Sequence, residues 1–150
     1  MTTVLAPVAG RVVGLAAVPD PVFSQGLVGH GTAIDPAREP GTAVAPIDGT
    51  IVKLHPHAYV IVGDDGRAVL VHLGIDTVEL RGEGFRVLAA EGERVRAGWP
   101  VVAWNPALVE AGGRSPMCPV VALDARPGTV SVLAASSGAV RAGDRLFLWS

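Results

Sequence analysis

Two stretches of this chain each occur twice. Ala6–Leu15 (APVAGRVVGL) returns as Ala45–Leu54 (APIDGTIVKL), and Val95–Trp104 (VRAGWPVVAW) returns as Val140–Trp149 (VRAGDRLFLW). In the first pair Ala, Pro, a β-branched residue, Gly, Val and Leu fall at matching offsets, and the second pair is equally in register. Each unit is a turn signal feeding a short strand, because proline limits one backbone angle and glycine permits the next sharp bend. Two copies of each unit predict two similar β substructures packed face to face. The 19 Gly and 12 Pro punctuate short apolar runs in a chain that is 49% hydrophobic, which favours an all-β domain over a helical one. At 150 residues with no visible linker, residues 1–150 are expected to form one domain.

Between the repeats, Pro19–Phe23 and Ile34–Gly41 read as loops set by their prolines. Phe85–Ala90 reads as a strand after the turn Arg81–Gly84 (RGEG), and Thr129–Ala135 and Leu146–Trp149 as closing strands. One short helix is expected: Asn105 suits the N-cap, Pro106 the first helical position, and Gly112-Gly113 the stop. The formal net charge of -2, without a basic run, argues against a nucleic-acid partner. Cys118 is the sole cysteine, so no intrachain disulfide can form, which suits a reducing compartment. Neither a signal peptide nor an apolar stretch of membrane-spanning length is present, so a soluble, cytoplasmic protein without membrane insertion is expected.

The chemistry-bearing stretch is 55–76, HPHAYVIVGDDGRAVLVHLGID. Ala58–Val62 and Ala68–Ile75 flank the polar knot Gly63-Asp64-Asp65-Gly66, a hairpin signal. A loop symmetric about the Asp64–Asp65 bond sets His57 opposite His72, with Tyr59, Ile61 and Leu70 on the same face and Ala58, Val60, Val62, Val69, Val71 and Leu73 in the core. An odd-length loop slips that pairing by one residue. Two close imidazoles oppose each other's protonation, so one stays neutral near pH 7 and nucleophilic while its neighbour donates a hydrogen bond. This suits a covalent phosphoryl intermediate, a metal site or general acid–base work.

The metal reading rests on His55-Pro56-His57, an H-x-H pair that can chelate zinc from an extended strand, with His30, His72 or Asp76 as third ligand. It loosely resembles zinc endopeptidases of the lysostaphin type, but those act outside the cell, and their H-x-x-x-D ligand motif is missing. The repeats also resemble the halves of biotinyl and lipoyl carrier domains. Such carriers need a lysine at a hairpin tip, whereas the only lysine, Lys53, lies inside an expected strand. Nucleotide-binding glycine loops and a serine nucleophile elbow are absent.

Val71–Phe85 (VHLGIDTVELRGEGF), taken with APIDGTIVKL and HAYVIV before it and EGERVRAGWPVV and SPMCPVV after it, closely resembles the glucose-type enzyme IIA components of the bacterial sugar phosphotransferase system. The resemblance runs from about Ala6 to Trp149. It implies an antiparallel β-sandwich of the barrel-sandwich hybrid type (a duplicated hybrid motif) with a shallow apolar depression holding two histidines. It makes His72 the phosphoryl acceptor and His57 its stabilising partner, with the Gly74 carbonyl fixing the tautomer of His72. Leu70 and Val78 become part of an apolar docking rim, and Asp76 a contact for basic residues of partners. The implied partners are the histidine-containing phosphocarrier protein as donor, the IIB domain of a IIBC sugar permease as acceptor through a cysteine, and regulatory protein targets. No cofactor is required; zinc held by His57 and His72 is the competing expectation. Two departures stand out. His55 occupies a position where the family often has Thr and is expected to replace its hydroxyl as a supporting residue. His30, between Gly29 and Gly31, replaces an often acidic residue and is expected on the partner-docking surface. The amphipathic N-terminal tail of enteric members has no counterpart, so membrane association through a tail is not expected.

Overall fold

A computed structural model of the chain describes residues 1–133 and 138–150. In chain order the strands are β1 (Thr2–Leu5), β2 (Gly10–Val12), β3 (Gly29–Pro36), β4 (Gly41–Val44), β5 (Gly49–His55), β6 (Ala58–Val62), β7 (Ala68–His72), β8 (Phe85–Val87), β9 (Arg94–Val95), β10 (Pro100–Trp104), β11 (Cys118–Leu123), β12 (Val130–Val132), β13 (Ala139–Val140) and β14 (Arg145–Trp149). Eight of them form a curled antiparallel sheet in the order β13-β2-β3-β11-β7-β6-β5-β9. The remaining six form two three-stranded sheets, β1-β14-β12 and β4-β10-β8.

The sequence repeats explain this architecture. The strands that precede the two Ala-Pro units, β1 and β4, each pair with the long strand of a VRAG unit, β14 and β10. The repeat glycines pair equivalently as well, Gly10 with Val140 and Gly49 with Val95. The Ala-Pro units bind each other reciprocally: Leu5 N–H donates to Pro46 O and Val44 N–H to Pro7 O, both at 2.9 Å. The VRAG turns add Gly143 N–H to Ala6 O and Gly98 N–H to Ala45 O, both at 2.8 Å. Gly10 and Gly49 recur for a steric reason. A Cβ at either would lie 2.2 Å from a backbone oxygen, of Asp35 and Val62 respectively, so only glycine permits the close passage of the chains.

Apolar residues from all three sheets fill one interior, among them Val4, Ile34, Ile51, Val101, Leu146 and Phe147, each fully buried. Tyr59 reaches through this core, and its hydroxyl donates to Val44 O at 2.7 Å, tying β6 to β4. A smaller apolar cluster of Val18, Phe23, Ala33, Ile75 and Val121, with Leu70 against it, lies on the other face of the eight-stranded sheet.

The expected helix forms as α2 (Pro106–Ala111), with the Asn105 side chain accepting from Ala107 N–H. A shorter one, α1 (Pro21–Ser24), lies partly in the stretch expected to be loop. Asp20 caps it and Pro21 starts it, the same signal that marked α2. The expected loop Ile34–Gly41 is also shorter than anticipated, because β3 continues to Pro36 and β4 begins at Gly41. Of the strand expected over Thr129–Ala135, β12 accounts for Val130–Val132, and Ala134 and Ala135 lie outside the described residues. No helix among the described residues is long and apolar enough to cross a membrane.

Candidate active site

The β6–β7 hairpin forms, but one residue out of the expected register. Ala58 pairs with His72, Tyr59 with Val71, Val60 with Leu70, and Ile61 with Val69. The reason is in the loop. Gly63 N–H donates to Arg67 O, and the Asp65 carboxylate accepts from Arg67 N–H, so Arg67 belongs to the reversal and the loop has an odd length. Tyr59 and Ile61, expected on the histidine face, therefore join Val69 and Val71 in the core, all four at most 1% exposed. Ala58, Val60, Leu70 and His72 form the outward row.

Slippage by one residue should separate the two imidazoles, yet they meet. His57 is not part of the strand alternation: His55 pairs with Ala58, and Pro56 and His57 make the two-residue turn between β5 and β6. Freed from the pleat, the His57 ring reaches the outward face, with its centroid 5.3 Å from that of His72 in an edge-on arrangement. The His57 carbonyl anchors the turn by accepting from Leu73 N–H at 2.7 Å. His55, exposed at the end of β5, stacks on His57 at 5.6 Å.

The orientation of His72 is set by the loop that follows it. Its Nδ1 lies 2.5 Å from Gly74 O. A carbonyl oxygen only accepts, so Nδ1 carries the proton and Nε2 presents a lone pair. Gly74 has φ +81°, and a Cβ there would lie 2.7 Å from Thr77 Cγ2 and 3.1 Å from Ser115 O. The buried Thr77 donates its hydroxyl to Leu73 O at 2.8 Å, and Ile75 N–H donates to Ser115 O at 2.8 Å. These bonds pin residues 73–77 from inside. Neither Thr77 nor Ser115 was singled out from the sequence: Thr77 acts through a hydroxyl bond to a backbone carbonyl four residues before it, and Ser115 through its own backbone carbonyl, which carries no side-chain signature. Phe23 of α1 was also missed; its ring covers His72 from the other side, centroid to centroid 5.4 Å.

Burial pushes the His57 pKa down to about 4, and the neighbouring His72 and His55 push in the same direction. Burial also lowers that of His72, against the opposing pull of the Gly74 carbonyl, Asp20 and Asp76. Both rings are therefore neutral at pH 7. Burial raises the pKa of the fully buried Cys118 thiol to about 12, so it is no thiolate nucleophile.

Around the pair lies an apolar rim. Leu70 is half-buried next to Val60, while Val78, Leu27 and Val22 are 60%, 66% and 43% exposed. Asp76 is exposed in a left-handed conformation at the start of the 3-10 turn Thr77–Leu80, which also carries Val78. His30 belongs to β3, and its ring lies against the turn that follows α1. It pairs with Ala122, level with Val69 on the inward row, and a Cβ at Gly26 would lie 3.2 Å from its ring. Among the described residues no ring contact joins it to His57 or His72. Nor is any group of three or more His, Cys, Asp or Glu among the described residues arranged to hold a metal ion.

Comparison with known proteins follows the same lines. Residues 2–127 match the family model of the phosphoenolpyruvate-dependent sugar phosphotransferase system, EIIA 1. A Haemophilus influenzae protein named PTS system glucose-specific EIIA component is 38% identical over 147 residues, 97% of this chain and 86% of that protein. A Bacillus cereus protein of the same name is 39% identical over 121 residues, 79% of this chain and 72% of its own length. The solved structure of glucose permease IIA from Mycoplasma capricolum superposes with a TM-score of 0.85 at 31% identity, covering 97% of this chain and 94% of that one. The chain therefore belongs to the EIIA 1 family of the phosphoenolpyruvate-dependent sugar phosphotransferase system, whose work is phosphoryl transfer in sugar transport.

Proposed function

We propose that His72 accepts a phosphoryl group on Nε2 from the histidine-containing phosphocarrier protein and passes it to a cysteine of the IIB domain of a sugar permease. The observation that carries this reading is the Nδ1 contact of His72 with Gly74 O, which leaves Nε2 as the free nucleophilic nitrogen beside a second neutral imidazole. In the first step the Nε2–P bond forms as the donor's N–P bond breaks. In the second, a cysteine thiolate takes the phosphoryl group and Nε2 recovers its lone pair. Such transfers rest on in-line positioning and on stabilising charge over the equatorial oxygens. His57 donates a hydrogen bond to one of those oxygens, and the Gly74 carbonyl stabilises the positive charge that the His72 ring gains on phosphorylation.

The exposed Val22, Leu27 and Val78 with the half-buried Leu70 supply an apolar surface on which both partners dock in turn. Asp76 and Asp20 give that surface a negative edge, which orients basic partners more than it tightens them. Regulatory proteins that use the same face would compete with transfer. Glucose is the first sugar to assay, since the curated relatives carry it in their names.

The proposed transfer requires no cofactor, and metal content after purification without added zinc checks the competing zinc reading. The direct test supplies the upstream phosphotransferase components and phosphoenolpyruvate to the purified protein. An acid-labile, base-stable phosphoryl mass localised to His72 supports the proposal; its absence overturns it.

A further inference from the structure

His55 is the one histidine set against the reacting pair that the transfer chemistry leaves unused. It ends β5, is exposed, and pairs with Ala58 across the turn made by Pro56 and His57. Its ring lies nearly parallel to that of His57, with planes 24° apart and centroids at 5.6 Å. His57 in turn meets His72 edge-on, at 66°. A side chain at a turn corner lacks the flanking rows that fix rotamers within a sheet, so its constraint must come from whatever its ring touches. The rings beside it are the imidazole of His55, nearly parallel in an offset stack, and that of His72, edge-on.

We infer that His55 is a positioning residue, a flat wall that holds the His57 ring in the rotamer from which its N–H meets a phosphoryl group on Nε2 of His72. The inference rests on the transfer reading, but it concerns a different residue and asks only for a planar ring at position 55. The imidazole nitrogens of His55 take no part. Acceptance of phosphate by His72 does not depend on the wall, whereas onward donation, in which His57 steadies the phosphoryl group in flight, does.

The test compares wild type with His55→Ala and His55→Phe. Two readouts are followed: the rate of phosphoryl transfer onward to a IIB domain, and the three-bond Hα–Hβ couplings of His57 in the unphosphorylated protein. His55→Ala should take up phosphate normally, donate it roughly tenfold more slowly, and show averaged His57 couplings. His55→Phe, which restores a flat ring without nitrogens, should recover both. Unchanged donation or an unchanged His57 rotamer in His55→Ala overturns the inference. So does a His55→Phe variant as slow as His55→Ala, because that assigns the role to the imidazole nitrogens. If wild type takes up no phosphate, the transfer reading fails while the couplings still decide whether His55 holds the ring.

Discussion

The His57 and His72 imidazoles lie 5.3 Å apart, centroid to centroid, although no strand ladder pairs the two residues. One ring projects from a turn corner and the other from the end of a strand, and they meet over the outward face of the hairpin. Their roles are therefore separable by substitution. The His72 ring is bonded to a backbone carbonyl, whereas the His57 ring has an imidazole on either side.

His72→Gln should abolish phosphate uptake, because no other described histidine has its nucleophilic nitrogen exposed by such a backbone contact. His57→Gln should still take up phosphate but donate it poorly. Intact-mass measurement of uptake, followed by transfer to a IIB domain, separates the two. Normal onward transfer by His57→Gln would remove that residue from the mechanism.

The loop behind His72 should be as sensitive as the histidine itself. Gly74→Ala places a Cβ 2.7 Å from Thr77 Cγ2 at a φ of +81°, and should destabilise the fold by about 1–3 kcal/mol while slowing phosphate uptake. Thr77→Val leaves the Leu73 carbonyl without its 2.8 Å donor, at a cost of about 1–3 kcal/mol, and Thr77→Ser should recover most of it. Denaturant melts and uptake rates on the same preparations check both.

Stability should depend on the neutral state of the histidine pair. The folded-state pKa of His57, about 4, lies below its ordinary 6.5, so between those values the unfolded chain binds more protons than the folded one. Its contribution is complete above pH 6.5 and is lost progressively as pH falls towards 4; His72 acts in the same direction. The melting temperature of wild type should fall across this window, and that of His57→Gln should fall less. Equal slopes for the two proteins would exclude a depressed pKa at His57.

Tyr59→Phe should destabilise the protein by about 1–3 kcal/mol without changing the rate of phosphate uptake, since it leaves Val44 O unpartnered in the core, on the far side of the sheet from His72. Melting curves and uptake assays on one preparation check this. A variant with native stability would mean that water replaces the hydroxyl.

The duplicated β framework was legible from residues alone, because its determinants are local. Pro and Gly at matching offsets dictate matching turns, and Asn105-Pro106 dictates a helix start. That His57 and His72 belong to facing arms of one hairpin was legible too, since a hairpin brings its two arms together in any register. The register itself was not. It depends on whether Arg67 joins the strand or the loop, which is decided by a hydrogen bond to Gly63 and a contact with the Asp65 carboxylate. The slip moved Tyr59 and Ile61 into the core, where burying two large apolar side chains outweighs any symmetric turn.

What the sequence by itself determined, then, is the fold class, the repeats and the two histidines, all written in short-range patterns. Only the tertiary structure decided how those histidines meet. Ser115 and Phe23 reach His72 and its loop through packing between segments distant in the chain, and His55 reaches His57 through the geometry of a turn. Contacts of that kind follow from where the whole chain comes to rest, and no local pattern encodes them.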